Sequence, residues 1–324
     1  MAQPRRVLLS TAVLFCGSVL LSTALLCGGC DGFLPQRRSL KSTAVHERAT
    51  ALHSKPLQVV TDIDDTIKSS GNVRLVDIPL GGIDGQYARG AFYPGVFDFI
   101  AELSSSRGPA EPVAVLTARA AEFKFALELR DSDKVVKQFR ACAKRRGMGG
   151  WGVAYDRVMY GSVHEWIFQD FKGWRKLQNF EILARNLGDL RSLSDPAPAS
   201  PAREYVFLGD TGELDGQAGE LILARYPGLC QTVLLHCVGT DARGDGVAVP
   251  QPYAVDAQGP AQVHFFRTYV GAAAIALELG LVDARAVQRV VEAALSDLEK
   301  AGIFPGNDPR NQLRDVQRDI DALR

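Results

Sequence analysis

Three aspartates fall within four positions, Asp62, Asp64 and Asp65, in the stretch "VVTDIDDTIKSSG", directly behind an apolar run. Clustered carboxylates repel and raise one another's pKa, so a fold keeps them where a cation or a reaction offsets the charge, or where they cap a turn. Residues two apart in a strand project to one side, so Asp62 and Asp64 can face a common site while Asp65 belongs to the turn. That spacing suits a nucleophile and a partner acid: Asp62 attacks a phosphorus centre, and Asp64 protonates the leaving oxygen and then activates water. Further along, "LTARA" supplies Thr117, whose hydroxyl can donate to a phosphoryl oxygen. "FKGWRKLQNFEIL" supplies Lys172 and Lys176, cations able to offset developing negative charge, and "FLGDTGELD" supplies Asp210 and Asp215, hard oxygen ligands suited to Mg²⁺.

The elements that must position these groups are short, nearly continuous apolar runs, "LQVVTD", "VAVLTA", "YVFLGD" and "TVLLHCV", alternating with helical patterns such as "GVFDFIAELS", "EFKFALEL" and "GQAGELILARY". Such strands read as the interior of a parallel sheet covered on both faces. The expected fold is therefore α/β, a three-layer sandwich around a parallel, Rossmann-like sheet whose strand ends carry the polar residues. A glycine-punctuated insert between Thr66 and Tyr93 reads as a small flap or cap, and Lys68, Arg74 and Arg89 within it are assigned no role. After about residue 263 the chain reads as a helical extension. The expected division is 1–56 as leader, 57–262 as catalytic domain and 263–324 as C-terminal extension.

Together the motifs resemble the haloacid dehalogenase superfamily of phosphohydrolases, over roughly Leu57 to Val238. Within it, "DIDDTIK" joined to "GDTGELD" is similar to the catalytic domain of the actin-patch type of Mg²⁺-dependent phosphatidate phosphatases. The resemblance implies Asp62 as nucleophile and Asp64 as general acid/base. It implies Mg²⁺ held by Asp62, the Asp64 backbone carbonyl and Asp210, with Asp215 supporting the metal site. Thr117 and one lysine bind the phosphoryl group. Lys176 is preferred over Lys172 because it directly precedes the apolar pattern Leu177, Phe180, Leu183 and is tied to a packed helix, whereas Gly173 loosens the chain beside Lys172. The substrate implied is a phosphomonoester, with phosphatidate one candidate. A rival from another class is a non-catalytic module that binds a phospholipid or phosphoprotein on the same fold.

Composition narrows the partners. The 324 residues carry 37 basic and 37 acidic side chains, so no global charge draws the chain to nucleic acid. A basic pair followed by the uncharged apolar segment Val7 to Cys30 reads as a secretory signal or membrane anchor, and Arg37 to Lys55 fits either a plastid transit peptide or a spacer. Membrane association would run through this N-terminal segment. Outside the leader stand Cys142, Cys230 and Cys237, an odd number; a strand from Cys230 to Cys237 would put the latter two on opposite faces roughly 23 Å apart, beyond disulfide reach. His164 and His236 lack ligand spacing, so no zinc site is expected. Trp166, Phe168, Phe171 and Trp174 read as core aromatics.

Overall fold

The computed structural model describes residues 55–75, 78–79, 82–120, 129–161, 172–190, 202–212, 214–240, 247–256, 259, 261–301 and 309–323. The chain divides into Met1–Glu47 and Arg48–Arg324. The apolar leader and all of the Arg37 to Lys55 stretch except Lys55 lie outside the described residues, as do Trp166, Phe168, Phe171, His164 and most of "EFKFALEL".

The second unit is an α/β fold with a mostly parallel seven-stranded sheet and seven helices among the described residues. The strands are β1 (Leu57–Thr61), β4 (Val113–Ala120), β5 (Val153–Gly161), β6 (Glu204–Asp210), β7 (Cys230–His236), β8 (Tyr253–Ala254) and β9 (Gln262–Phe266). Their order across the sheet is β5-β4-β1-β6-β7-β9-β8, with only β8 antiparallel. A separate ribbon pairs β2 (Arg74–Leu75) with β3 (Ile78–Pro79). The helices are α1 (Val96–Ser105), α2 (Lys134–Arg145), α3 (Lys172–Asn186), α4 (Asp215–Arg225), α5 (Tyr269–Glu278), α6 (Ala284–Ala301) and α7 (Pro309–Asp321).

The central strands β1, β6 and β7 are buried along nearly their whole length, which is why they are written as nearly continuous apolar runs. Leu57 and Val59 of β1, with Val206 and Leu208 of β6, enter one core with α1, α2, α5 and α6. Val60, Tyr205 and Phe207 point the other way, into a second core with α3 and α4. This alternation is the strand's period of two. Cys142, Cys230 and Cys237 are buried free thiols, and burial pushes Cys230 up to about 12.

Among the elements longer than two residues, three were not singled out from the sequence. β5 lies at the sheet edge and interrupts its apolar residues with Tyr155, Asp156 and Arg157. Helix α2 carries its buried face on Val135, Val136, Phe139, Cys142 and Ala143 amid five basic residues, so its mean character is polar. β9 alternates Gln262 and His264 with Val263 and Phe265, and the sequence boundary at 263 falls inside it. Trp174, read as core, is 46% exposed, because the apolar stripe of α3 runs through Leu177, Phe180 and Leu183 and Trp174 lies off it. Among the described residues no helix is long and apolar enough to cross a membrane.

Candidate active site

The central strand β1 sends the chain toward β4 on one side, while its other neighbour, β6, is reached only after β5 and leads on to β7. Between β1 and β6 the connections diverge, and open α/β sheets place ligands at the carboxyl ends of such strands. Asp62 follows β1 there, its N–H still continuing the ladder to Leu208 O at 3.0 Å. Asp210 is the last residue of β6, and Asp215 is the first residue of α4.

These three carboxylates are all buried, and each offers an oxygen within 4.8 Å of the others'. Asp210 is held by the Gly212 N–H at 2.6 Å and the Thr66 hydroxyl at 3.5 Å, and the Asp210 N–H donates to Asp215 at 3.3 Å. A Cβ at Gly209 would stand 2.6 Å from Asp215 Oδ2, so glycine is what lets the aspartate fold back over the strand end. Lys176, also buried, forms an ion pair with Asp215 and lies 3.5 Å from Asp62 Oδ1. With all four groups ionised, three carboxylates against one ammonium leave two negative charges inside the protein. A dry site tolerates that when a dication completes it, and hard carboxylate oxygens are the donor set Mg²⁺ selects. The residues fit that ion.

The remaining sequence candidates divide. Thr117 is buried on β4 two positions beyond Val115, the register partner of Thr61, and so reaches the same edge of the sheet as Asp62. The Asp64 side chain stands outside the acidic cluster, paired with Lys68 Nζ at 2.5 Å; the resemblance assigned only its backbone carbonyl to the metal. The side chains of Lys172 and Arg74 lie outside the described residues, and Arg89 is exposed.

Asp65, set aside as a turn residue, anchors the segment that follows. Its backbone takes φ 62°, a left-handed conformation Asp tolerates better than most residues. Its carboxylate accepts the N–H groups of Ser70 (2.8 Å), Ile83 (2.6 Å) and Asp84 (2.9 Å). Burial, only partly offset by those donors, raises its pKa to about 6. The same segment is tied at Gly85 N–H to Gly239 O at 2.9 Å, and Ile83 is close enough to Gly212 that a Cβ there would meet its Cγ1 at 2.6 Å. Residues 82–85 therefore lie against the loops that follow β6 and β7.

Two further groups were missed. His236 ends β7, in register with Asp210, and its Nδ1 is 2.8 Å from Asp65 O. Burial lowers its pKa to about 4, and its Nε2 lies 3.2 Å from Arg267 O. Tyr269, the first residue of α5, donates its hydroxyl to Thr66 O at 2.5 Å. His236 was legible in principle as a polar residue at a strand end; Tyr269 carried no local signal.

Comparisons of the chain with protein-family models, with curated proteins and with solved structures found no match.

Proposed function

We propose that this protein is a Mg²⁺-dependent phosphomonoester hydrolase of the haloacid dehalogenase type, with a Rossmann-like sheet and with the insert between Thr66 and Tyr93 as the flap over its site. The observation that carries the reading is the buried convergence of Asp62, Asp210, Asp215 and Lys176 at the β1/β6 strand ends.

In this reading an Asp62 carboxylate oxygen attacks phosphorus as the ester P–O bond breaks, giving an aspartyl-phosphate, and Asp64 gives its proton to the departing alkoxide. Asp64 then takes a proton from water, whose oxygen attacks phosphorus; the bond to Asp62 breaks and phosphate leaves. Lys176 and the Thr117 hydroxyl face the phosphoryl oxygens, where fixed donors in a dry site stabilise developing charge without reorganising. Lys68 fixes where the Asp64 carboxyl sits. Asp62, Asp210 and the Asp64 carbonyl would hold Mg²⁺, with Asp215 supporting, and the ion when bound neutralises charge on the phosphoryl group. The 82–85 stretch, strapped to Asp65, restricts water and substrate access.

Phosphatidate is the first substrate to try, since "DIDDTIK" and "GDTGELD" carry that resemblance. Phosphatidate, lysophosphatidate, sugar phosphates and nucleotides are assayed for released phosphate with and without Mg²⁺. Mg²⁺-dependent release from one class supports the reading. Binding of phospholipid without release from any ester would favour the non-catalytic module.

A further inference from the structure

The turn between Asp62 and Lys68 is bonded on nearly every side. Ile63 O accepts the N–H groups of Ile67 (2.8 Å) and Lys68 (3.1 Å), and Asp65 N–H donates to Lys68 O at 2.7 Å. The carbonyls of Asp65 and Thr66, within the same turn, are met by side chains from remote parts of the chain. His236 reaches Asp65 O at 2.8 Å, with the Nδ1 proton assigned from that short separation, and Tyr269 donates to Thr66 O at 2.5 Å. The two rings are packed together: His236 lies 4.3 Å from the Tyr93 ring centroid, 5.3 Å from Phe266 and 5.9 Å from Tyr269. Both are buried. Thr66 in turn gives its hydroxyl to Asp210 Oδ2 at 3.5 Å, so a chain of contacts runs from α5 through Thr66 to the acidic cluster.

A left-handed aspartate costs free energy and persists only where its surroundings over-determine it. Here the Asp65 carboxylate is held on one side by the flap and its carbonyl on the other by His236. We propose that Tyr269 and His236 are positioning residues for the metal site: they fix two consecutive carbonyls of the turn carrying Asp64, and Tyr269 acts through Thr66 to orient Asp210. The inference rests on reading the acidic cluster as a divalent-cation site. It makes the start of α5, beyond the strands, part of what orders the site, since Tyr269 belongs to that helix. Outer groups of this kind set the orientation of metal ligands, and their loss commonly weakens a site about tenfold or more.

Tyr269→Phe removes one hydroxyl and leaves the ring packed on Phe99 and Phe266. Thr66→Val removes the relay hydroxyl with little change of shape and serves as the independent second variant. Binding of Mn²⁺, followed by electron paramagnetic resonance on the intact chain, reads the site without needing turnover. The dissociation constant is expected to rise about tenfold in both variants, with cooperative unfolding retained. A Mn²⁺ affinity within twofold of wild type in either variant would overturn the proposal, whatever its melting temperature does. A wild type that binds Mn²⁺ yet hydrolyses no phosphomonoester would remove the phosphohydrolase reading while leaving this comparison decisive. A wild type that binds no Mn²⁺ would overturn both.

Discussion

Lys176 on α3 and Asp215 on α4, thirty-nine residues apart, form an ion pair inside the protein, and the same ammonium stands 3.5 Å from the Asp62 carboxylate. A buried cation shared between two carboxylates is fixed in position, which is what transition-state stabilisation requires of it.

Lys176→Ala is expected to lower turnover about a hundredfold, the scale of losing one preorganised donor, with Lys172→Ala milder. It is also expected to destabilise the metal-free protein by roughly 3–5 kcal/mol, because two buried carboxylates lose their cation. Mg²⁺, by binding only the folded state, should restore part of that loss. Thermal melts with and without Mg²⁺, beside rates on one substrate, check this; the reverse ranking of the two lysines would move the role to Lys172.

Gly82 sits at φ 139°, and a Cβ there would overlap the Asp65 carboxylate that binds the Ile83 and Asp84 N–H groups. Gly82→Ala is expected to cost about 1–3 kcal/mol of stability, the scale of a side chain forced into a glycine-only conformation. It should also quicken hydrogen exchange at the Ile83 and Asp84 amides. Unchanged exchange at those amides would mean that Asp65 does not fasten the 82–85 segment.

His236 titrates at about 4 against an ordinary 6.5, because burial opposes its charged form and the Arg267 guanidinium reinforces that. Its folded pKa is depressed, so below 6.5 the unfolded chain binds a proton that the folded one refuses. The stability it contributes is present above 6.5 and is lost as pH falls toward 4, by roughly 3 kcal/mol in all. Asp65 runs the other way: raised from 3.8 to about 6, it binds its proton first in the folded state and favours folding as pH falls through that range. The two oppose one another between about 4 and 6, which mutes the wild-type profile. Denaturant unfolding of His236→Gln is therefore expected to show less acid loss than wild type between pH 6.5 and 4. Parallel profiles for the two proteins would contradict the buried neutral imidazole.

A chain ending at Phe266 is expected not to fold cooperatively. It would lack Tyr269, Ala272, Ala273, Ala276, Val287 and Val290, which share one core with Leu57 and Val59 of the central strand. In addition, Asp297 of α6 accepts the N–H of Gly95 at the start of α1, at 3.1 Å. Circular dichroism with a urea titration decides the matter, and a cooperative transition of normal steepness would refute it.

Asp62 and Asp210 were legible as polar ends of nearly continuous apolar strands, whereas their convergence with Asp215, on the following helix, was an expectation from the motif resemblance. Lys176 was legible for a related reason: the stripe Leu177, Phe180, Leu183 tied it to a packed helix. β5 and β9 were not, since an edge strand and a mixed strand lack that continuous apolar signature. His236 and Tyr269 act on carbonyls 171 and 203 residues away, and contacts so distant leave no period or spacing to read. Asp65 was read as a turn residue, yet its carboxylate binds the Ile83 and Asp84 amides, whose positions only the tertiary fold supplies.

The nucleophilic role of Asp62 is the centre of this account, and Asp62→Asn tests it most directly, since the amide is nearly the same shape but far less nucleophilic and a poorer Mg²⁺ ligand. The measurement is phosphate release by the purified variant and by wild type on the best phosphomonoester substrate in the presence of Mg²⁺. Release should fall to background while the circular dichroism spectrum and cooperative unfolding are retained. Turnover near the wild-type rate, in a preparation free of other phosphatases, would contradict an aspartyl-phosphate at Asp62.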